Sequence, residues 1–220
     1  MKWDCILFDL DGTLWDCSAV SSKAWTEAFG MLPEKLPTPT REAIRKISGM
    51  TPEQVCDNLI PGLPRERQME IFTFCTRYAE TCKVDMRELV YPGAMEVLET
   101  LKKRFPLFLV SNCSPDYLKQ CLAEVPIGRC FVEAVGYGMA GNGKTESIKN
   151  LMRRYGFSRG VYVGDTEFDY RASCKAGVDF ILAAYGFGNV PQAKWKIDSI
   201  TELPACIDRA QDPETEVPIS

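Results

Sequence analysis

Cys5-Ile6-Leu7-Phe8-Asp9-Leu10-Asp11-Gly12-Thr13-Leu14 begins as an apolar run and turns polar at Asp9. A short apolar run that ends in carboxylates and a glycine reads as a buried strand entering a loop. Similar runs, rich in Val, Leu, Ile or Phe, recur at Pro106 to Val110, Phe131 to Val135, Gly160 to Val163 and Phe180 to Ala184. Helical patterns lie between them: Ile148, Leu151, Met152 and Tyr155 fall at i, i+3, i+4 and i+7, which places one apolar stripe on one face. Strand and helix thus alternate from residue 91 onward. That alternation predicts an α/β fold, a doubly wound parallel sheet with helices on both faces.

Residues 17–90 break the rhythm and offer no convincing strand. Thr51-Pro52-Glu53-Gln54 has the form of a capping box with Pro at the first helical position, and Met69, Phe72, Cys75, Ala79 and Cys82 continue a helical stripe. Pro33, Pro37, Pro39, Pro61 and Pro64 divide the segment into separate helices. The expected organisation is an α/β core from 1–16 and 91–220, interrupted by a helical insert at 17–90 and re-entered at Tyr91-Pro92-Gly93. No internal repeat is evident. Gln211 to Ser220 reads as a polar tail.

A chain of 220 residues with 45% apolar and 25% charged side chains has the composition of a soluble globular protein with a real core. The longest uncharged stretch, Phe180 to Ala193, is broken by Gly186, Gly188 and Pro191 and is too short to span a bilayer. Lys2, Asp4 and Asp9 interrupt the N-terminus where a secretory signal needs an apolar run, so a cytoplasmic location is expected. A net charge of -4 argues against a dedicated nucleic-acid binder, which needs a basic surface to displace counterions. The 10 cysteines are scattered, with no CxxC and no zinc-like spacing, and read as reduced thiols. Histidine is absent, which removes Ser-His-Asp, Cys-His and His-ligated metal chemistry together.

Ligands of open parallel sheets gather at the carboxyl ends of strands. The residues ending these runs are therefore the candidates: Asp9 and Asp11 after the first, Ser111 and Asn112 after the second, and Asp165 and Asp169 after a later one, with Lys144 just before a helix starting near Thr145. Carboxylates converging on one edge repel unless a cation neutralises them, and an all-oxygen set suits Mg²⁺. A lysine beside them points to an anionic substrate.

These motifs resemble those of the haloacid dehalogenase superfamily, in the subgroup with a helical cap inserted after the first motif. Asp9 to Leu14 gives DLDGTL, Val110 to Asn112 gives VSN, Lys144 lies in GNGKTE, and Gly164 to Asp169 gives GDTEFD. The resemblance implies a Mg²⁺-dependent phosphatase acting through an aspartyl-phosphate. Asp9 is then the nucleophile and Asp11 the general acid and base. Asp9, the Asp11 backbone carbonyl and Asp165 would hold the metal, with Asp169 as ligand or support. Ser111, Asn112 and Lys144 would bind the phosphoryl group, beside the N-terminus of a helix beginning at Ser114-Pro115.

Taken singly these residues have plainer readings: a strand-end Asp is ordinarily a turn or cap, Asp169 a solvated helix position, and Thr145 an N-cap. The ordered set outweighs them. Cys17 and Cys113 flank the site and are candidates for oxidation, although free cysteine is more often a small buried apolar group. Trp15, Trp25 and Arg45 could touch substrate, against core packing for the tryptophans and solvent exposure for the arginine. Within the superfamily, dehalogenases lack the second Asp of the first motif and phosphonatases carry a small residue there, so Asp11 points to phosphate esters. Mutases of the β-phosphoglucomutase kind carry a cap histidine, absent here, and stand second. A non-catalytic phosphoryl-binding or signalling domain is the reading from another class. A cap of about seventy residues favours small phosphorylated metabolites. Oligomeric state is not encoded in any recognisable pattern.

Overall fold

The computed structural model describes residues 2–82, 84–141 and 143–211. Of the polar tail, only Gln211 lies among them, as the last residue of a helix; the remainder lies outside the described residues. The strands are β1 (Cys5–Phe8), β2 (Leu107–Val110), β3 (Glu133–Val135), β4 (Gly160–Gly164), β5 (Asp179–Ala183) and β6 (Trp195–Ile197). They form one sheet in the order β3-β2-β1-β4-β5-β6, with every neighbouring pair parallel. The chain winds outward from β1 to β3, then crosses back to β4 on the other side of β1. This reversal opens a crevice at the carboxyl ends of β1 and β4.

The sheet is covered on both faces, which explains why its central strands read as continuous apolar runs instead of alternating ones. Ile6, Phe8, Leu107, Leu109, Val161 and Val163 pack into one core layer, against Leu98, Leu118 and Ile207. Leu7, Phe108, Val110, Tyr162 and Leu182 pack into the other, against Ile148 and Leu151. The expected doubly wound sheet is present, with the first five strands within two residues of the expected runs. β6 was not legible. It is three residues long, at the sheet edge, and Lys194 and Lys196 interrupt the apolar pattern, as charges commonly do on edge strands.

Residues 18–81 carry α1 (Ser18–Gly30), α2 (Arg41–Ile47), α3 (Pro52–Leu59) and α4 (Arg65–Thr81). They share a core of their own around Trp25, Phe29, Ile44, Val55, Leu59, Ile71 and Cys75. The capping box of α3 forms as the sequence predicts: Thr51 accepts from the Gln54 backbone N–H while the Gln54 side chain accepts from Thr51 N–H. The stripe on α4 differs from expectation. Gln68, Ile71 and Cys75 are the buried residues, Phe72 and Ala79 turn toward a cleft, and Cys82 is the C-cap. The burial of Gln68 explains the rotation, because its amide donates to the carbonyl of Ile60 at the end of α3 at 2.8 Å. This bond satisfies a polar side chain that an apolar pattern cannot anticipate.

The helical segment leaves and rejoins the sheet region side by side. Asp16 N–H donates to Leu89 O at 2.9 Å and Tyr91 N–H to Leu14 O at 3.0 Å, and Trp15 bridges antiparallel to Val90. Among the described residues no helix is long and apolar enough to cross a membrane.

Candidate active site

Register brings the motifs together. Phe8 is paired with Leu109 on one side and Val163 on the other, so Asp9, Ser111 and Asp165 emerge from adjacent strands at one edge. Asp9 is fixed by its own N–H, which donates to Val163 O at 2.9 Å, and its side chain is buried. Lys144 reaches this edge from α7 (Lys144–Tyr155), where it is the first helical residue. The N-cap is Gly143, at φ +107°, so Thr145 lies inside the helix and is not its cap. The Lys144 ammonium sits 2.7 Å from Asp9 Oδ1 and 2.5 Å from Asp169 Oδ1, with all three side chains almost wholly buried.

Asp169 is no solvated helix position. It is fully buried at the third position of α8 (Glu167–Ala176), in a capping box with Thr166. Its Oδ2 accepts from Thr166 Oγ1 at 2.7 Å, Thr166 N–H at 3.0 Å and Asp165 N–H at 3.3 Å. With Oδ1 on Lys144, both oxygens are engaged. Asp165 Oδ2 accepts from Phe187 N–H at 2.7 Å and Oδ1 from Thr13 Oγ1 at 3.3 Å. The backbone crowds Asp165: a Cβ on Gly12, whose φ is +86°, would lie 2.2 Å from Asp165 Oδ2, and one on Gly186 would lie 2.3 Å from Asp165 Cβ. Both positions require glycine on steric grounds.

Asp9, Asp165 and Asp169 each offer an oxygen within 4.8 Å of the others. Three carboxylates against one ammonium leave a formal charge of about −2, if all are ionised, which a divalent cation balances. The donors are hard oxygens and Asp165 and Asp9 are less encumbered than Asp169, so the residues fit Mg²⁺. Burial, and then the neighbouring Asp169, push the Asp9 carboxyl up to about 7 despite Lys144. Burial and the two other carboxylates raise Asp165 well above the usual carboxylate range. Burial disfavours the Lys144 ammonium, but Asp169 and Asp9 outweigh it and hold the lysine charged.

Asp11 lies apart from this cluster. Its Oδ1 accepts from Trp15 Nε1 at 2.7 Å and Cys17 Sγ at 2.8 Å, and burial raises its carboxyl. Trp15 is therefore a buried residue that orients Asp11. Cys17 is a thiol donor pushed up by burial and by Asp11, and burial pushes Cys113 up to about 12, so neither is held as a thiolate. All ten cysteines are free. Ser111 Oγ accepts from Cys113 N–H at 3.2 Å and keeps its own proton to donate. Asn112 gives one amide hydrogen to Gly49 O at 2.8 Å in the helical segment, and its buried Oδ1 has no partner. α6 (Pro115–Glu124) begins beside them, close to the expected start at Ser114-Pro115, with Ser114 as its N-cap.

Arg45 is half-buried instead of fully solvent-exposed: it pairs with Asp16 at 2.7 Å, beside Arg41 at 2.8 Å, and lies over the Phe187 ring. Trp25 lines two adjoining cavities and does more than pack a core. One cavity, about 160 Å³, holds Asp9, Ser111 and Lys144; the other, about 300 Å³, extends past Asp11 between α1, α4 and α6. Sequence reading missed Tyr162, which donates to Val110 O at 2.7 Å with Lys144 5.8 Å from its ring centre, because a tyrosine within an apolar run signals only a strand. It also missed Phe72, Glu80 and Tyr117 in the larger cavity, where nothing but the folded arrangement distinguishes them.

The family profile described as haloacid dehalogenase-like hydrolase matches residues 6–183. A phosphoglycolate phosphatase of Pseudomonas syringae pv. tomato is 28% identical over 92% of this chain and 79% of its own length. Another, from Aquifex aeolicus, is 30% identical over 83% of this chain and 85% of its own. Among solved structures, a haloacid dehalogenase-like family hydrolase from Streptococcus pneumoniae superimposes with a TM-score of 0.81, at 22% identity, over 94% of this chain and 99% of that one, a likeness of fold.

Proposed function

We propose that this chain, which belongs to the haloacid dehalogenase-like hydrolases and is a phosphatase, cleaves small phosphomonoesters by passing the phosphoryl group through Asp9. The observation that carries this reading is Asp9 itself: a buried carboxylate held by Lys144 at one oxygen, with a second carboxyl, Asp11, two residues on. An oxygen of Asp9 attacks phosphorus as the bond to the ester oxygen breaks, which splits one difficult displacement into two easier ones. Asp11, its proton favoured by burial, delivers that proton to the departing alcohol. The same carboxylate then takes a proton from the water that attacks phosphorus and frees Asp9. Lys144 and the Ser111 hydroxyl hold phosphoryl oxygens, and the second Asn112 amide hydrogen adds a further donor.

Asp9, Asp165 and the Asp11 backbone carbonyl would hold Mg²⁺, with Asp169 fixing Lys144 and supporting the metal site through its own saturated hydrogen bonds. When bound, the ion would stabilise charge on the transferring phosphoryl group. The helices of residues 17–90 act in this reading as a cap on the core of 1–16 and 91–220, admitting a small phosphorylated metabolite, and the enzyme works in the cytoplasm. Quenched turnover of p-nitrophenyl phosphate with Mg²⁺, read by intact mass, tests the covalent step in Asp11→Asn. Its good leaving group needs no proton, so one phosphate should accumulate on Asp9, while alkyl phosphates slow by about 10² to 10⁴. Phosphate on another residue, or wild-type turnover of alkyl phosphates, would overturn the assignment.

A further inference from the structure

The larger cavity tells which alcohol can depart. It adjoins the cavity of Asp9 and Lys144, and Asp11 lines both, so the leaving oxygen sits at their junction and the rest of the alcohol extends past Asp11. Its walls include Trp25, Phe72, Tyr117 and Tyr137, with the Phe72 ring edge-to-face on Trp25 at 5.9 Å. Glu80, near the end of α4, also lines it, half-buried and accepting from Ser114 Oγ at 2.7 Å. Apart from Asp11, Glu80 is the lining carboxylate; among the described residues no Lys or Arg lines this cavity. Arg41 and Arg45, on α2, are both engaged by Asp16. A neighbouring cleft does carry Lys144, Arg171 and Lys175, but Asp11 does not line it.

We propose that the preferred substrate is the phosphate monoester of a small amino alcohol, with its ammonium group held by Glu80 and the aromatic walls of the cavity beyond Asp11. This rests on the phosphatase reading above and refines it to a substrate class. Ring faces attract a cation, most strongly when it is desolvated, and a carboxylate beside them completes the charge match. A leaving group ending in a carboxylate meets Glu80 with no Lys or Arg on the cavity wall, in a partly enclosed site where like charges are poorly screened. The proposed alcohol thus carries the charge opposite to that of phosphoglycolate, for which two of the relatives are named. A cavity of about 300 Å³ accommodates an alcohol of a few heavy atoms without rearrangement.

Three esters of similar size test the assignment on the full chain with Mg²⁺: O-phosphoethanolamine, propyl phosphate and phosphoglycolate. In the wild type kcat/KM should fall in that order, by about 10-fold from amine to neutral ester and about 100-fold from amine to carboxylate. Glu80→Gln keeps an oxygen for the Ser114 hydroxyl and removes the charge. Its amine-to-neutral ratio should drop toward one and its carboxylate-to-neutral ratio should rise; both ratios are taken within one preparation and do not depend on how much of it is folded. Phosphoglycolate equal to or better than propyl phosphate, propyl phosphate better than the amine, or ratios unmoved by Glu80→Gln would each overturn the proposal while leaving a working phosphatase. Failure to hydrolyse any of the three and p-nitrophenyl phosphate as well would remove the phosphatase reading with it.

Discussion

The two halves of the cleft are built from different materials. On the phosphoryl side, Asp9, Lys144, Asp165 and Asp169 are at most 5% exposed, stand at strand ends or helix starts, and hold one another by short polar contacts. On the alcohol side, Phe72, Glu80, Tyr117 and Tyr137 are half-buried and come from helices and a loop. The first half is set by backbone register, so its geometry cannot change without moving a strand. The second is set by side chains on helices and a loop, which can change their chemistry while the sheet stays as it is. In the proposed reading, reactivity and selectivity are thereby lodged in different parts of the molecule.

Perturbations should divide along the same line. Asp9→Asn should lower phosphate release from every ester by about 10⁴ or more while far-ultraviolet circular dichroism is unchanged; comparable activity on any ester would break the division. Lys144→Ala, also on the phosphoryl side, should cost about 3–5 kcal/mol in urea unfolding because it strands buried carboxylates, and should abolish turnover as well.

The pH response of the metal-free protein should reveal the same carboxylates. Asp9 is raised from 3.8 to about 7, so its stabilising contribution is full below the lower value and disappears as pH rises through the upper one. The Asp9 contribution therefore favours a higher Tm at about pH 5.5 than at about pH 8. Mg²⁺ takes the proton's place, so its effect should be larger at the higher pH. At a hundredfold excess over Kd it should raise Tm by about 5–10 °C, read by differential scanning fluorimetry with and without chelator. The smallest effect belongs to the thiol between the halves. Cys113, pushed up to about 12, should alkylate at neutral pH far more slowly than a solvent-exposed cysteine such as Cys174, read by peptide mass mapping.

Legibility followed the same division. Asp9, Asp11, Ser111, Asn112, Lys144, Asp165 and Asp169 could be picked out because each follows an apolar strand run or precedes a helix, where sequence pattern and site geometry share one cause. The details of their partners were not legible: that Lys144 would start its helix after a left-handed Gly143, or that Asp169 would be wholly buried, depends on contacts across more than twenty residues. The short edge strand β6 escaped because Lys196 occupies its exposed position and Lys194 precedes it. Gln68 misled the reading of α4 because one bond to Ile60 lets a polar residue enter a core. Glu80 and Tyr117 are an ordinary glutamate and tyrosine until folding sets them at one cavity.

The paired crossings at Asp16–Leu89 and Leu14–Tyr91 have a further consequence. Because the outgoing and returning strands are already hydrogen-bonded neighbours, the sheet experiences whatever lies between them as a closed loop. Doubling such a loop adds only about 0.6 kcal/mol of closure entropy. The crossing therefore serves as a socket: inserts of different length and composition can be exchanged there at little thermodynamic penalty to the part that carries the proposed nucleophile. For engineering, the junctions for grafting a foreign lid onto this sheet lie just outside that pair of hydrogen bonds.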